Sequence, residues 1–230
     1  MKHNNLLLLH GALGSEVQLQ PLQKLLATDF NVYTLNFEGH GGRTSNHEFD
    51  MDRFAENVVE RLTTLQVAKT HIFGYSMGGY VALTLAKKYP ELIDTIVTLG
   101  TKFNWTLESA QQEVKMLNPE KIEEKVPAFA KRLQGLHLPN DWKEVMRKTA
   151  SMMFDLANGK KLTGLDLQAI PHEVCIGIGS LDNMVTIEES ENAASHLPNG
   201  RLKIIEDVKH PIEKVDMQIL TTFIKNELSN

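Results

Sequence analysis

A chain of 230 residues with 42% hydrophobic and 23% charged residues and a formal charge of −5 has an ordinary globular composition. The acidic balance argues against nucleic acid as a partner and against a polybasic membrane surface. The single cysteine, Cys175, rules out an internal disulfide and gives no cysteine metal cluster; inside Val174-Cys175-Ile176 it reads as a packed core thiol.

Leu6–Leu9 is a strand-like run of four leucines ending in His10-Gly11. It is too short for a secretory leader, and no stretch is long and apolar enough to span a bilayer, so a soluble cytoplasmic protein without integral membrane association is expected. Val17–Ala27 has mostly helical spacing, and Asn31–Phe37 is strand-like. Over Met51–Leu65 the residues Phe54, Val58, Leu62 and Leu65 recur at helical intervals, which predicts an amphipathic helix. His71–Tyr75 is a short apolar run, and the helix from Met77 to Tyr89 is stopped by Pro90. Thr95–Leu99, Glu173–Gly179 and Leu202–Glu206 are strand-like, and a closing helix is expected around Ile212–Leu228. This alternation predicts a parallel sheet with helices on both faces, in which doubly buried strands read as continuous apolar runs. From about 101 to 165 there are helical patterns, punctuated by Pro119, Pro127 and Pro139, but no clear strand; this reads as a helical insertion between two core strands.

Chemistry concentrates at Gly74-Tyr75-Ser76-Met77-Gly78. The G-x-S-x-G pattern follows a strand and opens a helix, the setting in which a strained turn projects a serine hydroxyl from the sheet edge. The alternative is that Ser76 merely caps the helix. After the first strand, the loop His10-Gly11-Ala12-Leu13-Gly14 offers the Ala12 N–H, with that of Met77, as a candidate oxyanion hole; a generic glycine-rich turn is the competing reading. A serine nucleophile needs a base near neutral pH, and the chain order for this turn is Ser, then Asp or Glu, then His. Of the nine histidines, His137, His172, His196 and His210 follow Ser76. His137 falls in the insertion, His172 precedes a strand and His196 sits late in a helix, whereas His210 follows a strand as a sheet-top loop residue should. Asp182 follows the preceding strand and is the expected acid; Asp207 is its rival and reads as a turn residue.

Together His10-Gly11, Gly39-His40-Gly41, Gly74-Tyr75-Ser76-Met77-Gly78-Gly79, Gly179-Ser180-Leu181-Asp182 and His210-Pro211-Ile212-Glu213 resemble the α/β-hydrolase superfamily. The resemblance implies a mostly parallel sheet of about six strands, a core formed by residues 1–100 and 166–230, and a helical lid over Ser76 formed by 101–165. Two departures stand out. Many relatives begin with an antiparallel hairpin, whereas this sequence opens almost at once on the oxyanion strand, and Lys209 precedes the histidine where many relatives have glycine.

The expected activity is that of a serine hydrolase acting through Ser76, Asp182 and His210 on a small-molecule ester or thioester of small to medium acyl size, with no metal or cofactor. An enol-lactonase, a carbon–carbon hydrolase or a menaquinone-pathway-type lyase on the same triad is the alternative, and a non-catalytic ligand-binding member is a third. Leu13, Tyr75, Trp105 and Trp142 are expected to contact substrate, although ordinary helix packing accounts for much of the aromatic and methionine content of the insertion. That segment holds eleven Lys/Arg against eight Asp/Glu, a weakly basic surface that could favour a carboxylate-bearing or thioester substrate or simply be solvated.

Overall fold

The computed structural model describes residues 4–228. Its six strands are β1 (Asn4–Leu9), β2 (Phe30–Thr34), β3 (Thr70–Tyr75), β4 (Ile93–Leu99), β5 (Glu173–Gly179) and β6 (Asn199–Ile205). They form one parallel sheet in the order β2-β1-β3-β4-β5-β6. The leucine run shows why such a strand must be apolar throughout. Leu6 and Leu8 face a core built with Leu22 and Leu26 of helix α1 (Gln20–Leu26) and Phe223 and Ile224 of helix α10 (Met217–Leu228). Leu7 and Leu9 point the other way, toward Phe54, Val58 and Leu62 of α2 (Met51–Leu65), Val81 and Leu85 of α3 (Met77–Lys88) and Ala193 of α9 (Ile187–His196). All four leucines are fully buried, each contributing about 1.5–3 kcal/mol relative to exposure. Cys175 is likewise buried in β5, and burial pushes its thiol up to about 12, which keeps it an inert core residue.

Between β4 and β5 the chain forms α4 (Leu107–Val114), α5 (Pro119–Lys125), α6 (Pro127–His137), α7 (Trp142–Asp155) and α8 (Gly164–Gln168). Pro119 and Pro127 each open a helix, where a missing N–H costs nothing. The last of these helices, α8, packs on α3 and α9, and Asp166 pairs with Lys87 (2.6 Å). No helix among the described residues is long and apolar enough to cross a membrane.

Several boundaries differ from the sequence reading: β4 and β6 start earlier, at Ile93 and Asn199, α1 starts later, at Gln20, and two further ends show local causes. β2 ends at Thr34 rather than Phe37; past its end, side chains replace ladder partners, with Phe37 N–H donating to His10 Nε2 (3.3 Å) and Glu38 N–H to Asn57 Oδ1 (2.9 Å). The closing helix begins at Met217, not near Ile212. A 3₁₀ turn at Ile212–Lys214 comes first, and Asp216 Oδ1 then accepts from the N–H groups of Gln218 (2.7 Å) and Ile219 (3.2 Å).

Helix α9 begins with a reciprocal cap: Glu189 N–H donates to Thr186 Oγ1 (3.1 Å), and Thr186 N–H to Glu189 Oε2 (3.3 Å). The other oxygen of Glu189 accepts from Phe103 N–H (2.9 Å) and Asn104 N–H (3.2 Å), tying the start of the insertion to the core. Thr186→Ala is expected to lower stability by about 1 kcal/mol in urea unfolding.

Candidate active site

The carboxyl ends of the parallel strands gather the residues singled out in the sequence, as expected for a sheet of this topology. Ser76 follows β3, Asp182 follows β5, His210 follows β6 and Ala12 follows β1.

Ser76 has φ 50° and ψ −116°, a region a side-chain-bearing residue adopts at a cost of about 1–3 kcal/mol. Four hydrogen bonds hold it there. Its N–H donates to Leu99 O (2.8 Å), and its carbonyl accepts from Gly79 N–H (3.0 Å), Tyr80 N–H (3.4 Å) and Thr101 Oγ1 (3.0 Å). The flanking glycines are needed for space: a Cβ on Gly78 would lie 2.4 Å from Leu9 O, and one on Gly74 would lie 2.4 Å from Gly79 Cα. Although Ser76 precedes the first residue of α3, its hydroxyl makes no capping bond, and its backbone is not the extended one a capping serine uses. In the run from Thr70 to Tyr80 it alone is half-buried, and every other residue is buried.

The loops after β5 and β6 are bonded together, Ser180 N–H to Ile205 O (2.9 Å) and Leu181 N–H to Val208 O (3.0 Å). This brings Asp182 Oδ2 to 2.8 Å from His210 Nδ1, with both side chains almost wholly buried. Asp182 Oδ1 accepts from the N–H groups of Met184 (2.8 Å) and Val185 (2.9 Å). Burial works to raise the Asp182 pKa, but His210 and the two N–H donors outweigh it and hold the carboxyl below its ordinary range. Tyr75 OH donates to the His210 carbonyl (2.9 Å), fixing that residue's backbone. The His210–Asp182 pair sits over Gly100 (φ 64°), where a Cβ would come within 3.2 Å of Asp182 Oδ2 and of the His210 ring. The rival acid, Asp207, is an exposed turn residue with φ 59°.

Residues 11–14 form a turn closed by Gly14 N–H on Gly11 O (3.1 Å), with Ala12 and Leu13 at its centre. His10 supports it from below. Its Nε2 accepts from Phe37 N–H, so Nδ1 carries the proton and donates to Gly11 O (2.8 Å). Burial lowers the His10 pKa to about 4, leaving a neutral ring that orients the loop. His40 is also fully buried, held well below its ordinary value by burial and then by His10 and His137, and lies outside the cavity.

A cavity of about 580 Å³ opens over Ser76 and His210. Of the expected residues, Ala12, Met77, Leu13, Tyr75 and Trp105 line it. Trp142 does not. It opens α7 on the face that meets α6, and its ring is buried against Ala130, Leu133 and Met146. The insertion supplies a mainly apolar wall, including Met116, Phe129, Leu133, Met152 and Met153, with Met51 and Met184 from the core. Sequence patterning missed two ion pairs in this wall. Lys102 Nζ lies 3.3 Å from Glu113, and Arg132 pairs with Glu213, which also accepts from Gln18 (2.6 Å). The first ties the segment after β4 to α4, and the second joins the core to α6 of the insertion, a long-range pairing with no local signature. Among the described residues there is no cluster of His, Cys, Asp and Glu that could hold a metal.

The family model for the alpha/beta hydrolase fold matches residues 4–140. A pimeloyl-(acyl-carrier protein) methyl ester esterase of Aliivibrio salmonicida is 24% identical over 226 residues, 90% of this chain and 85% of that protein. An sn-1-specific diacylglycerol lipase of Danio rerio is 26% identical over 162 residues; the match takes in 69% of this chain and half of the lipase. A thermophilic esterase of Thermogutta terrifontis superposes with TM-score 0.80 at 20% identity, over 99% of this chain and 90% of the esterase. With a family match over more than half its length and a parallel sheet of the same architecture, the chain belongs to the α/β-hydrolase fold family and is an enzyme of that family.

Proposed function

We propose that this protein is a serine hydrolase that cleaves an ester or thioester of a small to medium acyl group, with Ser76 as nucleophile, His210 as base and Asp182 as acid. The observation that carries the reading is the buried His210–Asp182 pair opening into the same cavity as a strained, uncapped Ser76. With Nδ1–H committed to Asp182, His210 presents Nε2 as the free base. His210 takes the Ser76 proton as Oγ adds to the acyl carbon. The oxyanion is held by the N–H of Ala12 and that of Met77, the latter a free donor at the start of α3. The alcohol or thiol leaves with the proton from His210, and water, activated by the same imidazole, releases the acid and regenerates Ser76.

Helices α4–α7 act in this reading as the lid. Their methionines suit an acyl chain, being apolar and adaptable. Lys102 and Arg132 are each already paired with a glutamate, which favours an apolar acyl group over a free carboxylate. An ester of an acyl group is also what the name of the Aliivibrio relative specifies.

A fluorophosphonate probe is expected to label Ser76, located by peptide mass spectrometry, and the labelling should vanish in His210→Ala. A folded sample that resists labelling would refute the assignment of Ser76.

A further inference from the structure

His137 lies in the insertion, the last residue of α6, and takes no part in proton transfer, yet it touches the oxyanion loop. The ring is fully buried and bridges two backbone segments of the core. Its Nδ1 accepts from Gly41 N–H (3.2 Å), which places the proton on Nε2, and Nε2 donates to Leu13 O (3.2 Å). Burial lowers its pKa, so the neutral ring that satisfies both bonds is the resting form.

The residue it holds is a costly one. Leu13 has φ 57°, and it occupies the third position of the 11–14 turn, where a positive φ normally calls for glycine or asparagine. A leucine there costs about 1–3 kcal/mol and persists only if neighbours fix it. His137 grips the carbonyl of this strained residue, two peptide units along the same turn from the one that carries the Ala12 N–H. The anchor itself is firm. Asn140 Nδ2 donates to Gly39 O (3.1 Å) and Arg43 O (3.0 Å), fastening the segment after α6 to the same loop that supplies Gly41 N–H. On the same helix Phe129, Arg132, Leu133 and Leu136 line the cavity at i, i+3, i+4 and i+7. One rigid helix therefore contacts both the acyl-binding wall and the turn that presents the oxyanion donor.

We propose that His137 is a positioning residue: through Leu13 O it holds the 11–14 turn so that the Ala12 N–H meets the developing oxyanion, coupling the insertion to catalysis. The proposal rests on the serine-hydrolase reading above. It predicts a defect in the transition state rather than in substrate binding, because neither hydrogen bond of His137 goes to the cavity.

The test uses the full chain with p-nitrophenyl butyrate as substrate and butylboronic acid as inhibitor, whose tetrahedral adduct on Ser76 places an oxygen in the oxyanion site. His137→Leu removes both bonds. His137→Asn can keep only the Gly41 bond, and His137→Gln can reach Leu13 O. The Leu and Asn variants should lose about 10²-fold in kcat with KM nearly unchanged, and boronate inhibition should weaken by a similar factor. The Gln variant should recover most of kcat. Unchanged kcat in a folded Leu or Asn variant, a KM-only effect, or a Gln variant as damaged as Leu would overturn the proposal. If the Leu variant does not fold, the Asn–Gln comparison decides, equal rates going against it. Fluorophosphonate labelling of the wild type separates the two readings: labelled Ser76 with indifferent His137 variants refutes only the positioning role, and unlabelled Ser76 refutes both.

Discussion

Asp182→Asn is expected to leave the protein folded and to lower kcat for ester hydrolysis about 10⁴-fold. The structure gives a specific reason. Asp182 Oδ1 accepts two backbone N–H groups, from Met184 and Val185. In the asparagine variant only the amide oxygen can take that place, because the NH₂ end would set donor against donor. The amide nitrogen is then forced toward His210 Nδ1, where the carboxylate oxygen lay at 2.8 Å. A donor there makes Nδ1 the acceptor and moves the ring proton to Nε2, the nitrogen that has to take the Ser76 proton. The nucleophile faces an N–H instead of a base. Packing is conserved, so the melting temperature should stay close to wild type while kcat collapses, and fluorophosphonate labelling should slow in parallel. Loss of activity with unfolding would point to a structural role. An asparagine variant with near wild-type kcat would remove Asp182 from the mechanism and return attention to Asp207.

The elements that sequence reading located well are those whose signal is local. The α2 periodicity marks a helix whose observed limits are Met51 and Leu65, because Asp50 caps one end and Gln66 turns left-handed at the other. β5 keeps its limits because both faces are covered and every residue from Val174 to Gly179 is buried. The turn at Ser76 was legible because its flanking glycines, Gly74 and Gly78, are required within five residues of one another. What escaped depends on contacts between segments far apart in sequence. Past the end of β2 the expected strand is replaced by side-chain bonds, His10 and Asn57 taking the N–H groups of Phe37 and Glu38. The direction of Trp142 is set by how α6 and α7 pack, and helical spacing cannot tell a tryptophan facing a neighbouring helix from one facing a cavity. His137 was legible only as a histidine outside the place a base should occupy; its two backbone partners are 96 and 124 residues away.

Stability should fall as pH drops from about 6.5 toward about 4, through the histidines that the fold buries neutral. His10 is the best-defined case. Burial lowers its pKa from 6.5 to about 4, and the Gly11 hydrogen bond only partly offsets this. Above pH 6.5 neither the folded nor the unfolded state holds this proton, and the neutral ring keeps its two hydrogen bonds at no linkage cost. Between 6.5 and about 4 the unfolded chain binds a proton that the folded chain refuses, so each step down in pH favours unfolding. By about pH 5 His10 alone should cost about 2 kcal/mol relative to about pH 7.5. His40, His137 and His71 are lowered for the same leading reason, burial, and add in the same direction. Asp182 does not counter them: its lowered pKa supplies stability that is retained across this window and lost only further into acid. Urea unfolding at the two pH values measures the difference directly, and His10→Asn, though less stable at neutral pH, should show a difference smaller by about 2 kcal/mol. Equal stability of the wild type at both values would mean that His10 accepts a proton in the fold, and with it that the Phe37 N–H bond at Nε2 is not maintained.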